Sequence, residues 1–137
     1  LTNVIWDSMK VNDSMPEFVL KRISDIMDEK GLKDYKRVGL YGLTYKENVD
    51  DFRESPTLQL LEAQKEHLAE PLKVYDPMVN KDIVSNQYHD FNQFLNDVDM
   101  VVVMVKHSHI LENMTKLDGK IILDTCNIVK GKKCYKL

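Results

Sequence analysis

The feature that most constrains the fold is a set of short apolar runs separated by longer amphipathic or polar segments. Met100–Val105 is apolar at every position and rich in valine, which is typical of a strand buried on both faces. Arg37–Gly42, Pro71–Tyr75 and Ile121–Asp124 are further short runs that end at turn-forming or polar residues. Strands of this kind, alternating with helices, predict a parallel sheet covered on both faces.

Helical signals fill the segments between these runs. Residues 14–17 (S-M-P-E) have the form of a capping box, so a first helix is predicted from Ser14 to a stop at Gly31. The Ser-Pro pair at 55–56 predicts a second helix, with proline at the first helical position. Shorter helices are predicted around Phe91–Leu95 and over His109–Leu117.

The order of these elements predicts one Rossmann-like α/β domain, doubly wound around a mainly parallel sheet, with a leading helix. Residues 1–31 are the predicted leading segment and helix, and residues 36–137 the predicted α/β core. We expect a short helix and an edge strand within residues 78–90, and a solvated basic terminus at Lys130–Lys136. The chain begins at Leu1 without an initiator methionine, so we expect it to be part of a longer protein.

Charge and cysteine content argue against several classes of protein. Lys+Arg 19 against Asp+Glu 22 gives a net charge of −3, so bulk charge favours neither nucleic acid nor an anionic membrane as a partner. The apolar run at 100–105 is far shorter than the ~20 residues of a membrane-spanning helix. Cys126 and Cys134 do not make a disulfide framework, and a reducing cytoplasm is expected.

Ligands of open parallel sheets bind beyond the carboxyl ends of the strands. This rule places four loops at one edge, at residues 42–54, 76–80, 106–109 and 124–129. The first loop carries Lys46 and Arg53 between a strand and a helix N-terminus, where two cations can hold an anion such as a diphosphate. Asp50 and Asp51 can pin those cations. A solvated turn with a surface ion-pair network explains the same residues about equally well.

Other chemistry has weaker support in the sequence. The G-x-G-x-x-G fingerprint is absent, and Asp76 lies further along than the ~20 residues expected for a ribose contact, so no self-contained NAD site is expected. His107 and His109 have the wrong spacing for a helical zinc pair, which favours hydrogen-bonded loop histidines, and no metal site is predicted. Cys126 has no visible base beside it, which favours an idle thiol over a nucleophile.

The first loop and the strand before it also resemble the signature of a known protein family. VGLYGLTYKENVDDFRESP, at 38–56, resembles the G-L-x-[FY]-K-x-x-x-D-D-x-R-E-S-P signature of the UDP-glucose/GDP-mannose dehydrogenase family, at the start of that family's C-terminal, UDP-binding domain. Three further pieces fall in the family's order along the chain: VNDSMP at 11–16, before the signature, and VYDP at 74–77 and LDTCN at 123–127, after it. The N-D-x-x-P piece and the hydrophobic residue before D-D are more similar to dehydrogenases of UDP-N-acetyl sugars, such as UDP-N-acetylmannosamine, than to UDP-glucose 6-dehydrogenase.

The resemblance implies roles for individual residues. Tyr45 and Lys46 match the family's aromatic-lysine pair at the sugar-nucleotide site, and Asn127 lies near the uridine side by analogy. Cys126 stands where relatives often have arginine, so one cation that could face the nucleotide is missing. In the family the parent enzyme also binds NAD, and the arginine that reaches toward NAD corresponds to Arg53.

The remaining matched positions are Asp50 and Asp51, which the resemblance implies order the loop. The family has an N-terminal NAD-binding domain and a middle domain with the catalytic cysteine, whose G-F-G-G-x-C-x-P-K-D motif is absent here. We therefore expect this chain to be inactive alone and to belong to a cytoplasmic, homodimeric enzyme that oxidises C6 of a UDP-N-acetylhexosamine to a uronic acid. The alternatives are the corresponding domain of UDP-glucose 6-dehydrogenase and a non-enzymatic, receiver-like signalling domain.

Overall fold

The strands of the domain run parallel in one sheet. The computed structural model describes residues 8–33, 35–44, 48, 55–64, 72–129 and 134–136. Within these residues the strands are β1 (Val38–Tyr41), β2 (Lys73–Tyr75), β3 (Gln87–Tyr88), β4 (Met100–Val103), β5 (Ile121–Asp124) and β6 (Tyr135–Lys136). Their spatial order is β3-β2-β1-β4-β5-β6, and every neighbouring pair is parallel.

This strand order is that of the doubly wound Rossmann fold and confirms the predicted fold class. Receiver domains have the order 2-1-3-4-5, in which the second strand lies at the edge of the sheet. Here β2 lies between β1 and β3. The receiver-like alternative is therefore wrong.

Helices cover both faces of the sheet. They are α1 (Ser8–Lys30), α2 (Pro56–Gln64), α3 (Phe91–Asn96) and α4 (Ser108–Glu112), and α1 packs against α2. The side chains of β4 alternate between two buried clusters, with Val102 in the cluster that includes α1 and α2 and Val103 in the cluster that includes α3 and α4. None of the helices that the structure describes has both the length and the apolar character needed to cross a membrane.

The predicted end of α1 is confirmed, and its predicted start is wrong. Gly31 has a left-handed φ of 72°, and the N–H of Leu32 donates to the carbonyl of Met27 at 2.9 Å, as in a Schellman cap. At the other end, the helix begins at Ser8 and continues through Ser14 and Pro16. A proline inside a helix loses its own backbone bond, which costs about 3 kcal/mol, but the rest of a long packed helix can offset that loss. A capping-box motif in the sequence does not indicate whether the rest of the helix offsets the cost of an internal proline.

The structure also corrects the predictions for three short segments. Residues 78–86, all of them described, contain no helix, whereas the expected edge strand is present as β3. The helix predicted over His109–Leu117 breaks at Asn113, whose side-chain amide donates to the carbonyl of His109 at 2.8 Å and so competes with the backbone ladder. In the predicted basic terminus, Tyr135–Lys136 forms β6 beside β5 and is not a solvated tail, whereas residues 130–133 lie outside the described residues.

Candidate functional site

The carboxyl ends of the strands meet at one edge, with the reversal of strand order between β1 and β4. In doubly wound folds this switch point opens the crevice that binds ligands. Gly42 turns the chain away from β1 with φ of 106°, and its N–H donates to the carbonyl of Tyr75 at 2.8 Å. On the far side of the loop, the Ser55 hydroxyl accepts the N–H of Leu58 at 3.0 Å, which confirms the predicted start of α2.

Asp76 is the buried anchor of this edge. The Oδ2 atom of Asp76 accepts the N–H groups of Leu43 at 2.6 Å and Thr44 at 3.2 Å, and Oδ1 accepts the N–H of Met78 at 2.7 Å. The side chain of Asp76 is fully buried. One carboxylate after β2 therefore holds the first residues of the loop after β1.

His107 completes the anchor from the loop after β4. Its ring is fully buried, and Nε2 lies 2.9 Å from Oδ2 of Asp76 and 3.3 Å from the hydroxyl of Thr44. On the other edge of the ring, Nδ1 accepts the N–H of Asn48 at 2.8 Å. Because Nδ1 must offer a lone pair to Asn48, the ring proton lies on Nε2 and points to Asp76.

His109, in α4, belongs to an aromatic cluster on the α3–α4 face. Its ring stacks on Tyr41 with centroids 6.0 Å apart, and Nδ1 lies 2.9 Å from the Tyr41 hydroxyl. Burial raises the pKa of Tyr41 far above its usual range and lowers the pKa of His109. Phe91 contacts both rings edge-on. His107, in the loop after β4, and His109, in α4, thus have different hydrogen-bond partners, although the ring of Tyr41 contacts both.

Asp124 organises the loop after β5. Its buried carboxylate accepts the N–H groups of Cys126 at 2.9 Å, Ile128 at 2.8 Å and Val129 at 2.7 Å. Burial by itself would raise the pKa of Asp124, but the hydrogen bonds from Lys136 and from the N–H groups of Val129 and Cys126 outweigh it and hold the pKa below its usual value.

The structure places only one of the predicted site residues. Asn127 lies exposed in the loop after β5, with a left-handed φ of 57° that asparagine tolerates. The other predicted site residues, which are Tyr45, Lys46, Asp50, Asp51 and Arg53, lie outside the described residues. Cys126 is half-buried beside Val103 in the same loop as Asn127.

Sequence reasoning missed the pairing of Asp76 with His107. These residues lie 31 positions apart, so no local spacing rule joins them. The available signals were a strand-end aspartate in VYDP and a histidine just beyond the strongest strand.

Comparison with known proteins agrees with this geometry. The model of the UDP-glucose/GDP-mannose dehydrogenase family, UDP binding domain, matches residues 39–131. The chain is 32% identical to the UDP-N-acetyl-D-mannosamine dehydrogenase of Methanocaldococcus jannaschii, over 98% of the chain and 33% of that protein. It is 34% identical to the enzyme of the same name from Methanococcus vannielii, over 91% of the chain and 30% of that protein. The chain thus spans about a third of the length of these curated relatives.

Solved structures share the fold. The UDP-N-acetyl-mannosamine dehydrogenase of Staphylococcus aureus matches with a TM-score of 0.74 and 30% identity, over 93% of this chain and 31% of that one. A GDP-mannose dehydrogenase from Pseudomonas aeruginosa matches with a TM-score of 0.63 at 19% identity, over 90% of this chain and 33% of that one. The strand order, the signature loop and these matches agree: the chain belongs to the UDP-glucose/GDP-mannose dehydrogenase family, and residues 39–131 correspond to its UDP binding domain.

Proposed function

We propose that this chain is the UDP-binding part of an NAD-dependent dehydrogenase that oxidises C6 of UDP-N-acetylmannosamine to the corresponding uronic acid. The observation that carries this proposal is the identity of 32% and 34% to two UDP-N-acetyl-D-mannosamine dehydrogenases along nearly the whole chain. The same family contains UDP-glucose and GDP-mannose dehydrogenases. The second candidate is therefore a UDP-glucose 6-dehydrogenase, which differs in the sugar.

Within this proposal the chain binds the nucleotide and does not perform the redox step. Lys46 offers a point charge to a phosphate or carboxylate beside Tyr45, and Asn127 contributes from the uridine side. The exposed position of Asn127 at the carboxyl edge is compatible with that role. Asp50 and Asp51 order the loop. Binding energy from the UDP part of the substrate then helps to orient the sugar for chemistry on other domains.

The described residues do not fit a self-contained NAD site. Asp76, at the end of β2, stands where a Rossmann acid would bind a ribose, but its oxygens accept backbone N–H groups and the Nε2–H of His107, and its side chain is fully buried. NAD, which accepts the hydride in this family, would therefore be bound mainly by an N-terminal domain. Arg53 is the one residue of this chain proposed to reach it, through the planar fork of its guanidinium.

The intact protein is accordingly proposed to carry an N-terminal and a middle domain besides this one, to form a homodimer and to act in the cytoplasm. The length of the relatives, about three times the matched segment, supports the additional domains. The catalytic cysteine is proposed to lie in the middle domain. Cys126, half-buried with its Sγ 3.8 Å from the carbonyl of Val103, is not proposed as the nucleophile.

NADH formation by the intact gene product tests this proposal. The purified protein is assayed with NAD and, separately, with UDP-N-acetylmannosamine, UDP-N-acetylglucosamine and UDP-glucose. We expect the highest kcat/KM with UDP-N-acetylmannosamine, and preference for UDP-glucose would establish the second candidate instead. The 137-residue chain, assayed alone, should bind UDP and form no NADH; turnover by this chain would contradict the assignment of catalysis to other domains.

A further inference from the structure

The ring of His107 joins two points of the loop that follows β1. Its Nε2 side faces Thr44 and Asp76, at 3.3 and 2.9 Å, and its Nδ1 side accepts the N–H of Asn48 at 2.8 Å. Asp76 in turn holds the N–H of Thr44. Thr44 and Asn48 are four positions apart in the sequence, so one buried side chain fixes both ends of a short stretch of the signature loop.

Asn48 takes part in three hydrogen bonds, one with His107 and two with Ser108. Besides the bond to His107, its side-chain amide donates to the hydroxyl of Ser108 at 3.0 Å, and its Oδ1 accepts the N–H of Ser108 at 2.9 Å. Its φ of 59° is left-handed, a conformation that costs energy for a residue with a Cβ and persists where surrounding contacts determine it. The loops after β1 and β4 are therefore joined across the switch point.

We propose that His107 is a positioning residue for nucleotide binding: through Asn48 and Thr44 it sets the conformation of the loop after β1 at the crevice that receives UDP. This inference rests on the proposed function, which assigns Lys46, between those two residues in the sequence, to the nucleotide. His107 acts through the loop and does not itself touch the ligand, because its ring is fully buried.

Histidine suits this role because its two nitrogens differ. The neutral ring donates from one edge and accepts at the other, and Asp76 fixes which nitrogen carries the proton. Two substitutions separate the two edges. Glutamine places an amide near the position of Nε2, so His107→Gln can keep a donor to Asp76 but has no acceptor for Asn48. Asparagine places its amide near the position of Nδ1, so His107→Asn can accept from Asn48 but leaves Asp76 without that donor.

The experiment compares these two variants with the wild-type chain and with Val38→Ala, a core substitution at the opposite, amino end of β1. Three quantities are measured: the Kd for UDP by calorimetry, the thermal midpoint, and the hydrogen-exchange rate of the Asn48 amide by NMR. We expect His107→Gln to raise the Kd for UDP about 5- to 30-fold and to speed exchange at Asn48. His107→Asn should have the lower thermal midpoint of the two but a Kd nearer to wild type.

A purely structural role of His107 makes a different prediction. In that case the Kd for UDP follows the thermal midpoint across all four proteins, so that His107→Asn and Val38→Ala lose affinity in proportion to their stability. That result, or unchanged affinity in both His107 variants, overturns the inference and leaves the proposed function standing. A wild-type chain that binds no UDP contradicts the proposed function, and the inference fails with it.

Discussion

Lys136 and Asp124 form an ion pair between neighbouring strands, with the ammonium nitrogen 2.6 Å from Oδ2 of a fully buried carboxylate. Lys136 also donates to the carbonyl of Val129 at 3.1 Å, and Arg22 of α1 donates to the backbone carbonyl of Lys136 at 3.0 Å. The last strand is thus connected both to the loop that carries Asn127 and to the leading helix. Tyr135 and Lys136, at the end of the predicted basic terminus, are thus part of the sheet.

Replacing Lys136 with methionine should destabilise the domain. Asp124 keeps three backbone donors but loses its charged one, and because the Lys136 side chain is 39% exposed the loss is discounted to about 1–2 kcal/mol. Urea denaturation of the chain measures the change. Lys33→Met, at an exposed position, is the matched control and should change the free energy of unfolding by less than about 0.5 kcal/mol. Equal effects of the two substitutions would show that the ion pair contributes nothing.

The same carboxylate predicts how stability depends on pH. The pKa of Asp124 is lowered in the folded state, so the unfolded chain binds its proton first as the pH falls. The stabilisation from the ionised form is present above the unfolded pKa of about 3.9 and is lost as the pH falls through the lower folded value. The difference in unfolding free energy between wild type and Asp124→Asn should therefore shrink from pH 5 to pH 3. Parallel pH profiles of the two proteins in urea denaturation would contradict this expectation.

Gly42 should not tolerate a side chain. An added Cβ would lie 2.7 Å from Cβ and 2.8 Å from the backbone nitrogen of Val105, and the φ of 106° is strained for any other residue. Gly42→Ala should cost about 3 kcal/mol, combining backbone strain with overpacking. Gly119→Ala is the control, because Gly119 has a φ of 84° but, apart from its chain neighbours, no atom of the described residues within 4 Å of the added Cβ, so only about 1 kcal/mol is expected. Urea denaturation gives the loss of unfolding free energy for each variant, and the difference between the two losses is the energetic cost of the steric contact at Gly42.

The parts of the fold that were predictable are those specified by local chemistry. The valines of β4 and the Ser-Pro pair before α2 each determine their element from a few neighbouring residues. The end of α1 at Gly31 is of the same kind, since a left-handed residue is needed there and glycine supplies it.

The missed features depend on contacts between distant residues. Lys136, in β6, contacts a buried carboxylate 12 positions earlier, and His107 contacts Asp76 from another strand end. Neither pairing has a period or a short motif that a scan of the sequence could find. For the candidate site, the rule for open parallel sheets predicts the carboxyl edge, but the residues that anchor the loop there are identified only once the strand ends are brought together.

The two cations of the signature loop provide the most direct test of the site. Lys46 and Arg53 are proposed to face different parts of one cleft, the first the UDP-sugar and the second NAD. In the intact enzyme, Lys46→Ala should weaken UDP-sugar binding and leave NAD binding largely unchanged, whereas Arg53→Ala should do the reverse. Losing one charged hydrogen-bond partner costs about 1.5–3 kcal/mol, which is about a ten- to more than hundredfold change in the affected dissociation constant.

Calorimetric titration of each variant with each ligand separates this model from a solvated loop. If Lys46 and Arg53 belong only to a surface ion-pair network with Asp50 and Asp51, each substitution should change stability by less than about 1 kcal/mol and leave both affinities unchanged. Lys46→Arg is the matched variant, because it keeps the charge but replaces a compact ammonium with a planar guanidinium. Partial recovery of UDP-sugar affinity in Lys46→Arg, with NAD affinity constant throughout, would assign the charge of Lys46 to the nucleotide. Wild-type affinity for both ligands in both alanine variants would instead mean that the loop is only a scaffold.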